Sequence, residues 1–127
     1  MPDSARVVTA CVGVGRAVMG ASLIARPRNL ATTLGVDTAS AARTDFEARL
    51  LGVRDVALGL GAALAAGTGA PVRTWLLAQA LSDAADCVVF LSGAASGRFA
   101  PLGGYGIGVF AGTGAVAEGA LAARVSA

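Results

Sequence analysis

The chain has 127 residues, enough for one compact domain, but only 14% of them are charged, against about 25% in a soluble domain. It contains no His and no Lys, which excludes imidazole metal sites, His-dependent catalytic triads and lysine Schiff bases. A net charge of +2 is too small to indicate nucleic-acid binding. We therefore expect a membrane protein whose partner is the lipid bilayer, with no metal, no cofactor and no nucleic acid.

The first apolar span is predicted at 5–25, and it ends at Arg26 and Pro27 because proline disfavours helical geometry in the residue before it. Arg16 lies at its centre, which argues against a signal peptide, since the core of a signal peptide is uninterrupted and apolar. A charge at this depth costs about 2.5–3.5 kcal/mol on insertion scales. Arg16 should therefore be paired or functional.

A short segment at 27–34 follows the first span. Leu30 and Leu34 have helical spacing, Pro27 suits a first helical turn, and Gly35 suits the position after a helix end. This pattern predicts a short helix lying at the membrane interface. An ordered loop is the alternative.

The second span is predicted at 44–66, where Thr44 and Glu47 have the spacing of a capping box. Asp37 or Ser40 could instead cap an earlier start. The adjacent Arg54 and Asp55 lie at its centre.

The third span, predicted at 71–93, carries Asp83 at its centre and Trp75 near its start as an interfacial anchor. The fourth is predicted at 102–124. It carries a ladder of small residues, which lets a neighbouring helix approach closely. The ladder consists of Gly104, Gly108 and Gly112.

These spans predict an all-α fold, an integral four-helix bundle crossing the cell membrane several times, with antiparallel neighbours because the connections are short. Cys11 and Cys87 should stay unpaired, since their depths differ by roughly 13 Å. Arginines flank the two membrane surfaces almost equally. This balance permits a dual topology and an antiparallel homo-oligomer.

Four charged residues share the middle of their spans and sum to zero charge, which predicts one layer of intramembrane ion pairs. They are Arg16, Arg54, Asp55 and Asp83. Arg49 and Asp86 lie on one side of this layer and are expected to pair. Glu118 lies on the other side with no evident cation at its depth. Including these three, acids outnumber cations by one, so one acid should be neutral or exchange a proton.

The third span also carries a polar stripe. Gln79, Ser82, Asp83 and Asp86 share one helical face, which should face the bundle interior or a cavity. Two carboxylates at this spacing can bind Mg²⁺, but a single such pair is too weak a signal to predict metal. Asp83 and Asp86 are the candidate catalytic acids for a lipophilic substrate. The alternative is an ion network that only organises the bundle.

The pieces Gly52-Val53-Arg54-Asp55 and Leu81-Ser82-Asp83-Ala84-Ala85-Asp86, preceded by Arg16 and the Arg26-Pro27 break, resemble an uncharacterised family of small actinobacterial membrane proteins. The resemblance covers most of the chain. It implies a four-helix membrane fold and no particular reaction.

The leading hypothesis is a membrane protein whose buried Arg/Asp network surrounds a small polar pocket. A membrane-embedded acid–base enzyme acting on an isoprenoid or polyketide-like molecule is one alternative, and a small transporter is another. The ligand would be a small lipophilic molecule, or an anionic one bound by arginine. The predicted binding residues are Arg16, Arg49, Arg54, Asp55, Gln79, Ser82, Asp83, Asp86 and Glu118.

Overall fold

The structure is a computed structural model that describes residues 1–125, and only the backbone of Thr38. Within that range it is all-α, with no strand, which confirms the predicted fold class. The helices are α1 (Asp3–Ala25), α2 (Arg28–Thr33), α3 (Thr38–Thr68), α4 (Val72–Ala95) and α5 (Pro101–Arg124).

Four of these helices, α1, α3, α4 and α5, are long enough and apolar enough to cross a membrane. Their outer surface is apolar as well, since large side chains such as Leu81 (74% exposed) and Val116 (73% exposed) point away from the bundle. In water such a surface would be an interaction or aggregation site. The protein is therefore a multi-pass membrane protein.

Helices α1 and α3 form one antiparallel pair, held together at two glycine crossings. A Cβ atom on Gly13 would lie 2.5 Å from the carbonyl oxygen of Gly59, and one on Gly20 would lie 2.5 Å from that of Gly52. The two backbones therefore touch directly, the close approach that small residues permit in membranes. These crossings were missed from the sequence, although both helices carry two glycines seven residues apart.

Helices α4 and α5 form the second antiparallel pair through the predicted glycine ladder of α5. Gly104 faces Ala94, Gly108 faces Leu91 and Gly112 faces Cys87. The ladder thus lies against α4, as expected of a small-residue face.

Between the pairs the contact is much smaller. The Trp75 ring of α4 lies against Gly61 of α3, and a small core of Ala65, Leu76 and Ala122 with their neighbours closes the end nearest the chain's N-terminus. We call this end proximal, and the opposite end, which holds α2, distal.

Helix α2 lies at the distal end and is shorter than the predicted segment 27–34. Gly35 follows it with φ of 69°, the left-handed conformation that glycine adopts readily. The backbone amide of Ala100 then donates to the carbonyl of Leu34 at 2.8 Å, which ties this segment to the α4–α5 connection.

Helix α3 begins six residues before the predicted start of the second span. Asp37 is its cap, accepting hydrogen bonds from the amides of Ala39 (2.9 Å) and Ser40 (3.0 Å). The predicted Thr44–Glu47 capping box is wrong. Thr44 lies within the second turn of α3, where its hydroxyl donates to the carbonyl of Ser40. Cys11 and Cys87 are unpaired thiols, as predicted.

Candidate functional site

The glycine crossings place the central charges of the first pair beside each other. Arg16 lies between Gly13 and Gly20 on α1, and Asp55 lies between Gly52 and Gly59 on α3. Because both crossings are backbone contacts, the two charged residues have little freedom to separate. Arg16 Nη2 lies 3.2 Å from Asp55 Oδ1, and both side chains are less than 10% exposed.

Arg16 also reaches across to the second helix pair. Its Nη2 donates to Asp83 on α4, and its Nη1 donates to Glu118 Oε1 on α5 at 3.1 Å. One guanidinium thus binds acids from three helices, which its planar set of donors allows. The prediction of a buried Arg16 salt-bridge network is confirmed.

The expectation that Glu118 lacks a cationic partner is wrong. The prediction compared only the positions of residues along their helices, which placed Glu118 on one side of the charged layer. It did not take into account how far a long arginine side chain can extend. Arg16 extends to Glu118, with Arg16 Nη1 lying 3.1 Å from Glu118 Oε1.

Arg54 forms the second half of the network. Its Nη1 and Nη2 donate to the two oxygens of Asp86 at 2.9 and 2.6 Å, a bidentate pair. Its Nη2 also lies 3.2 Å from Asp55 Oδ1. Asp55 therefore links the Arg54–Asp86 pair to Arg16, and the network is continuous.

The predicted Arg49–Asp86 pair is wrong. Arg49 is exposed and makes no ion pair with any described residue. Five residues separate it from Arg54, which turns the side chain by about 140° around α3. Only Arg54 faces α4.

Gln79 and Ser82 are also outside the network. Gln79 is fully buried, and its Nε2 donates to the carbonyl of Leu58 at 3.0 Å, so it joins α4 to α3. Ser82 is half-buried, and its hydroxyl has no partner within residues 1–125. Six of the nine predicted site residues therefore converge; we call them the Arg16 cluster: Arg16, Arg54, Asp55, Asp83, Asp86 and Glu118.

Two cavities meet at the Arg16 cluster. The inner cavity, about 190 Å³, lies between the helix pairs and extends toward the distal end, where Leu30 of α2 forms part of its wall. The groove between α1 and α5, about 730 Å³, extends from the cluster toward the proximal end, past Val12 and Leu121 to Arg124. The two share four lining residues, which are Arg16, Met19, Asp83 and Phe110.

Met19, Phe110 and Gly114 belong to the site but were not predicted. Met19 and Phe110 look like ordinary lipid-facing residues in the sequence, so no signal could have found them. Gly114 makes room for Asp83, because a Cβ atom there would collide with Asp83 Oδ2. It lies two residues beyond Gly112 and so does not follow the four-residue spacing of the ladder, which is why the pattern did not indicate it.

The cluster carries more acid than base, with two arginines against four carboxyl groups. No three potential ligands among residues 1–125 converge as a metal site. Glu118 is 5% exposed, and its Oε2 has no hydrogen-bond partner in the described part of the chain. Such a group is a candidate contact for a ligand, since buried polar atoms in proteins are nearly always paired.

Comparisons of the chain with models of known protein families, with curated proteins and with solved structures find no match. The resemblance to small actinobacterial membrane proteins therefore stays a prediction.

Proposed function

We propose that this protein resides in the cell membrane and binds a small lipophilic molecule in the α1–α5 groove, with the Arg16 cluster contacting the molecule's polar group. The observation that carries the proposal is the position of the cluster at the inner end of a groove of about 730 Å³. That volume falls within the range of about 300–1,000 Å³ typical of ligand sites. Apolar walls with a few converging polar groups are also typical of such sites.

The groove favours a ligand that enters from the bilayer. Its walls include Val8, Val12 and Leu121, and Val8 is 48% exposed on a membrane-spanning helix. From Phe110 to Arg124 the groove follows about 21 Å of α5. This length suits an extended hydrocarbon chain.

Binding is better supported than acid–base catalysis. Both catalytic candidates are engaged by guanidinium groups, Asp83 by Arg16 and Asp86 by Arg54. Neither therefore presents a free acid to a substrate. An anionic ligand is also less favoured, because the Arg16 donors are already directed at three carboxylates.

Filling the groove tests the proposal. Gly15 lines the groove, and a Cβ atom there would meet no atom of the described chain within 4 Å. Gly15→Leu should therefore leave the fold intact and occupy the ligand volume. The matched control is Gly106→Leu, since Gly106 is exposed, equally open and outside both cavities.

A ten-carbon alcohol with a photoreactive diazirine serves as the probe, and mass spectrometry of peptides maps its attachment in the purified protein. We expect labelling of α1 and α5 groove peptides to fall at least about fivefold in Gly15→Leu and to persist in Gly106→Leu. Equal labelling of these peptides in both variants and the parent would refute a groove site.

Transport is the second candidate, favoured by the two cavities that extend from one cluster toward opposite ends. Its test uses a Leu23→Cys reporter in the inner cavity, with Cys11 and Cys87 changed to Ser. A transporter should expose this cysteine to an impermeant thiol reagent from the distal side in part of its cycle. A static binding site should leave it unreactive from that side.

A further inference from the structure

The unpartnered oxygen of Glu118 identifies the polar contact that a ligand in the groove would make. Glu118 lines the groove and is 5% exposed. Its Oε1 accepts from Arg16, while its Oε2 has no donor among residues 1–125. A carboxylate oxygen accepts hydrogen bonds and cannot donate them. For the ionised carboxylate, the missing partner is therefore a donor.

The charge balance of the cluster indicates which charge the donor group carries. Around Glu118, α1 contributes Arg16, α3 contributes Arg54 and Asp55, and α4 contributes Asp83 and Asp86. With every group ionised, the cluster has a net charge of −2. A buried negative excess is costly in lipid and is relieved by a cation or by protons.

Arg124, the other arginine that lines the groove, does not supply this charge. Arg124 lies six residues beyond Glu118, about 9 Å along α5 toward the proximal surface. It is exposed and forms no ion pair with any residue that the structure describes.

We infer that the α1–α5 groove selects lipophilic molecules bearing a protonated amine, and that Glu118 Oε2 accepts the hydrogen bond from the ammonium group. This inference rests on the proposed function, because it names the ligand class of the same groove. The hydrocarbon part lies against Val8, Val12 and Leu121, and the ammonium group lies at the inner end. The ammonium supplies both the missing donor and part of the missing positive charge.

Three diazirine probes with the same ten-carbon chain test the inference, one ending in a primary ammonium, one in a hydroxyl and one in a carboxylate. For each probe, the labelling of groove peptides is divided by the labelling of the same peptides in Gly15→Leu, the variant whose groove is filled. This ratio removes differences in how the probes partition into the micelle. The variants are Glu118→Gln and, as a matched acid outside the cluster, Asp3→Asn.

We expect the parent protein to favour the ammonium probe over the alcohol by about tenfold or more, since the alcohol can still donate to the carboxylate but lacks the positive charge of the ammonium group. Glu118→Gln should remove this preference. Asp3→Asn should retain it. The carboxylate probe should label the groove least.

Equal ratios for the ammonium and alcohol probes in the parent protein would overturn the inference even if Glu118→Gln fails to fold. A preference for ammonium that survives in folded Glu118→Gln would overturn it as well. In both cases the groove would still bind a lipophilic molecule. If Gly15→Leu reduces labelling by none of the three probes, the proposed function fails.

Discussion

At the scale of single residues, Arg16 of α1 is the residue that binds acids from the three other long helices. Removing one member of a buried ion pair typically costs about 3–5 kcal/mol, because the partner charge stays buried without compensation. Arg16→Ala would leave Asp83 and Glu118 in this condition, while Asp55 would keep its contact with Arg54. We therefore expect a loss of unfolding free energy of at least about 3 kcal/mol, measured by denaturant titration in mixed micelles.

Arg16→Lys should give an intermediate value, since an ammonium keeps the charge but cannot match the planar fork of donors. Arg49→Ala is the control, because that arginine is exposed on α3. Equal stability of Arg16→Ala and Arg49→Ala would show that the cluster does not hold the bundle together.

The second prediction at this scale concerns Gly114. A Cβ atom there would displace the Asp83 carboxylate, which cannot move without weakening its bond to Arg16. Gly119→Ala on the same helix meets no described atom within 4 Å. It should therefore be neutral or stabilising by up to about 1 kcal/mol.

Gly114→Ala should be less stable than Gly119→Ala by about 1.5–3 kcal/mol, the range of a hydrogen bond to a charged group. Thermal unfolding of the two variants in the same detergent measures the difference. A Gly114→Ala protein as stable as its control would mean that Asp83 can rotate away freely.

At the scale of helices, the α1–α3 pair depends on backbone contact at its glycine crossings. A Cβ atom on Gly13 would lie 2.5 Å from the Gly59 carbonyl oxygen and 2.8 Å from the Ala63 amide nitrogen. These are backbone atoms, so the helices must separate. Gly13→Ala should cost about 1–3 kcal/mol, as overpacking does.

Gly15→Ala is the matched control for Gly13→Ala, since it adds the same methyl group two residues away in open space. Both variants are compared by unfolding in mixed micelles. An unchanged Gly13→Ala protein would indicate that the two helices pack less closely than the structure shows.

The N-terminus of α3 should respond to pH through Asp37. Hydrogen bonds from Ser40 lower the pKa of Asp37 below its ordinary value of 3.8. A lowered pKa means that the cap is fully present above that ordinary value and is lost as pH falls through the lowered one.

Amide hydrogen exchange at Ala39 and Ser40 should therefore accelerate, beyond the intrinsic pH dependence of exchange, only at strongly acidic pH. Asp37→Asn should abolish this added dependence, because asparagine caps comparably well and does not titrate. An identical pH profile in both proteins would show that Asp37 does not control the helix start.

At the scale of the whole molecule, two tight helix pairs meet at the Arg16 cluster, at the packing of Trp75 on Gly61 and at the small apolar core around Leu76. Residues 1–68 and 69–127, co-expressed as separate chains, should therefore copurify when Arg16 is present. Copurification should be lost with Arg16→Leu and retained with Arg49→Leu. Association of the two halves regardless of Arg16 would assign their contact to apolar packing around Leu76 instead.

Much of this architecture could be predicted from the spacing of residues along the chain. Span length, the position of each charge within its span and the α5 glycine ladder predicted four helices and a charged layer. These features depend on residue spacing along one helix. The partners of Arg49, Asp86 and Glu118 depend instead on the rotation of one helix against another and on side-chain reach. Neither can be read from depth alone.

The unequal packing of the four helices was not predictable in the same way. It depends on which glycine faces meet, and the crossings at Gly13 and Gly20 require a particular register between α1 and α3. The cavities depend on what is left uncovered after both pairs have formed. Composition and periodicity do not specify that remaining space.

The ring of Trp75 rests on Gly61 at the narrow seam between the two pairs, and the chain contains a single tryptophan. Its fluorescence therefore comes from that seam alone. Any motion that parts the halves would change the surroundings of the ring before disturbing either tight pair. Tryptophan fluorescence is therefore an intrinsic signal for separation of the two helix pairs, and it requires no added label.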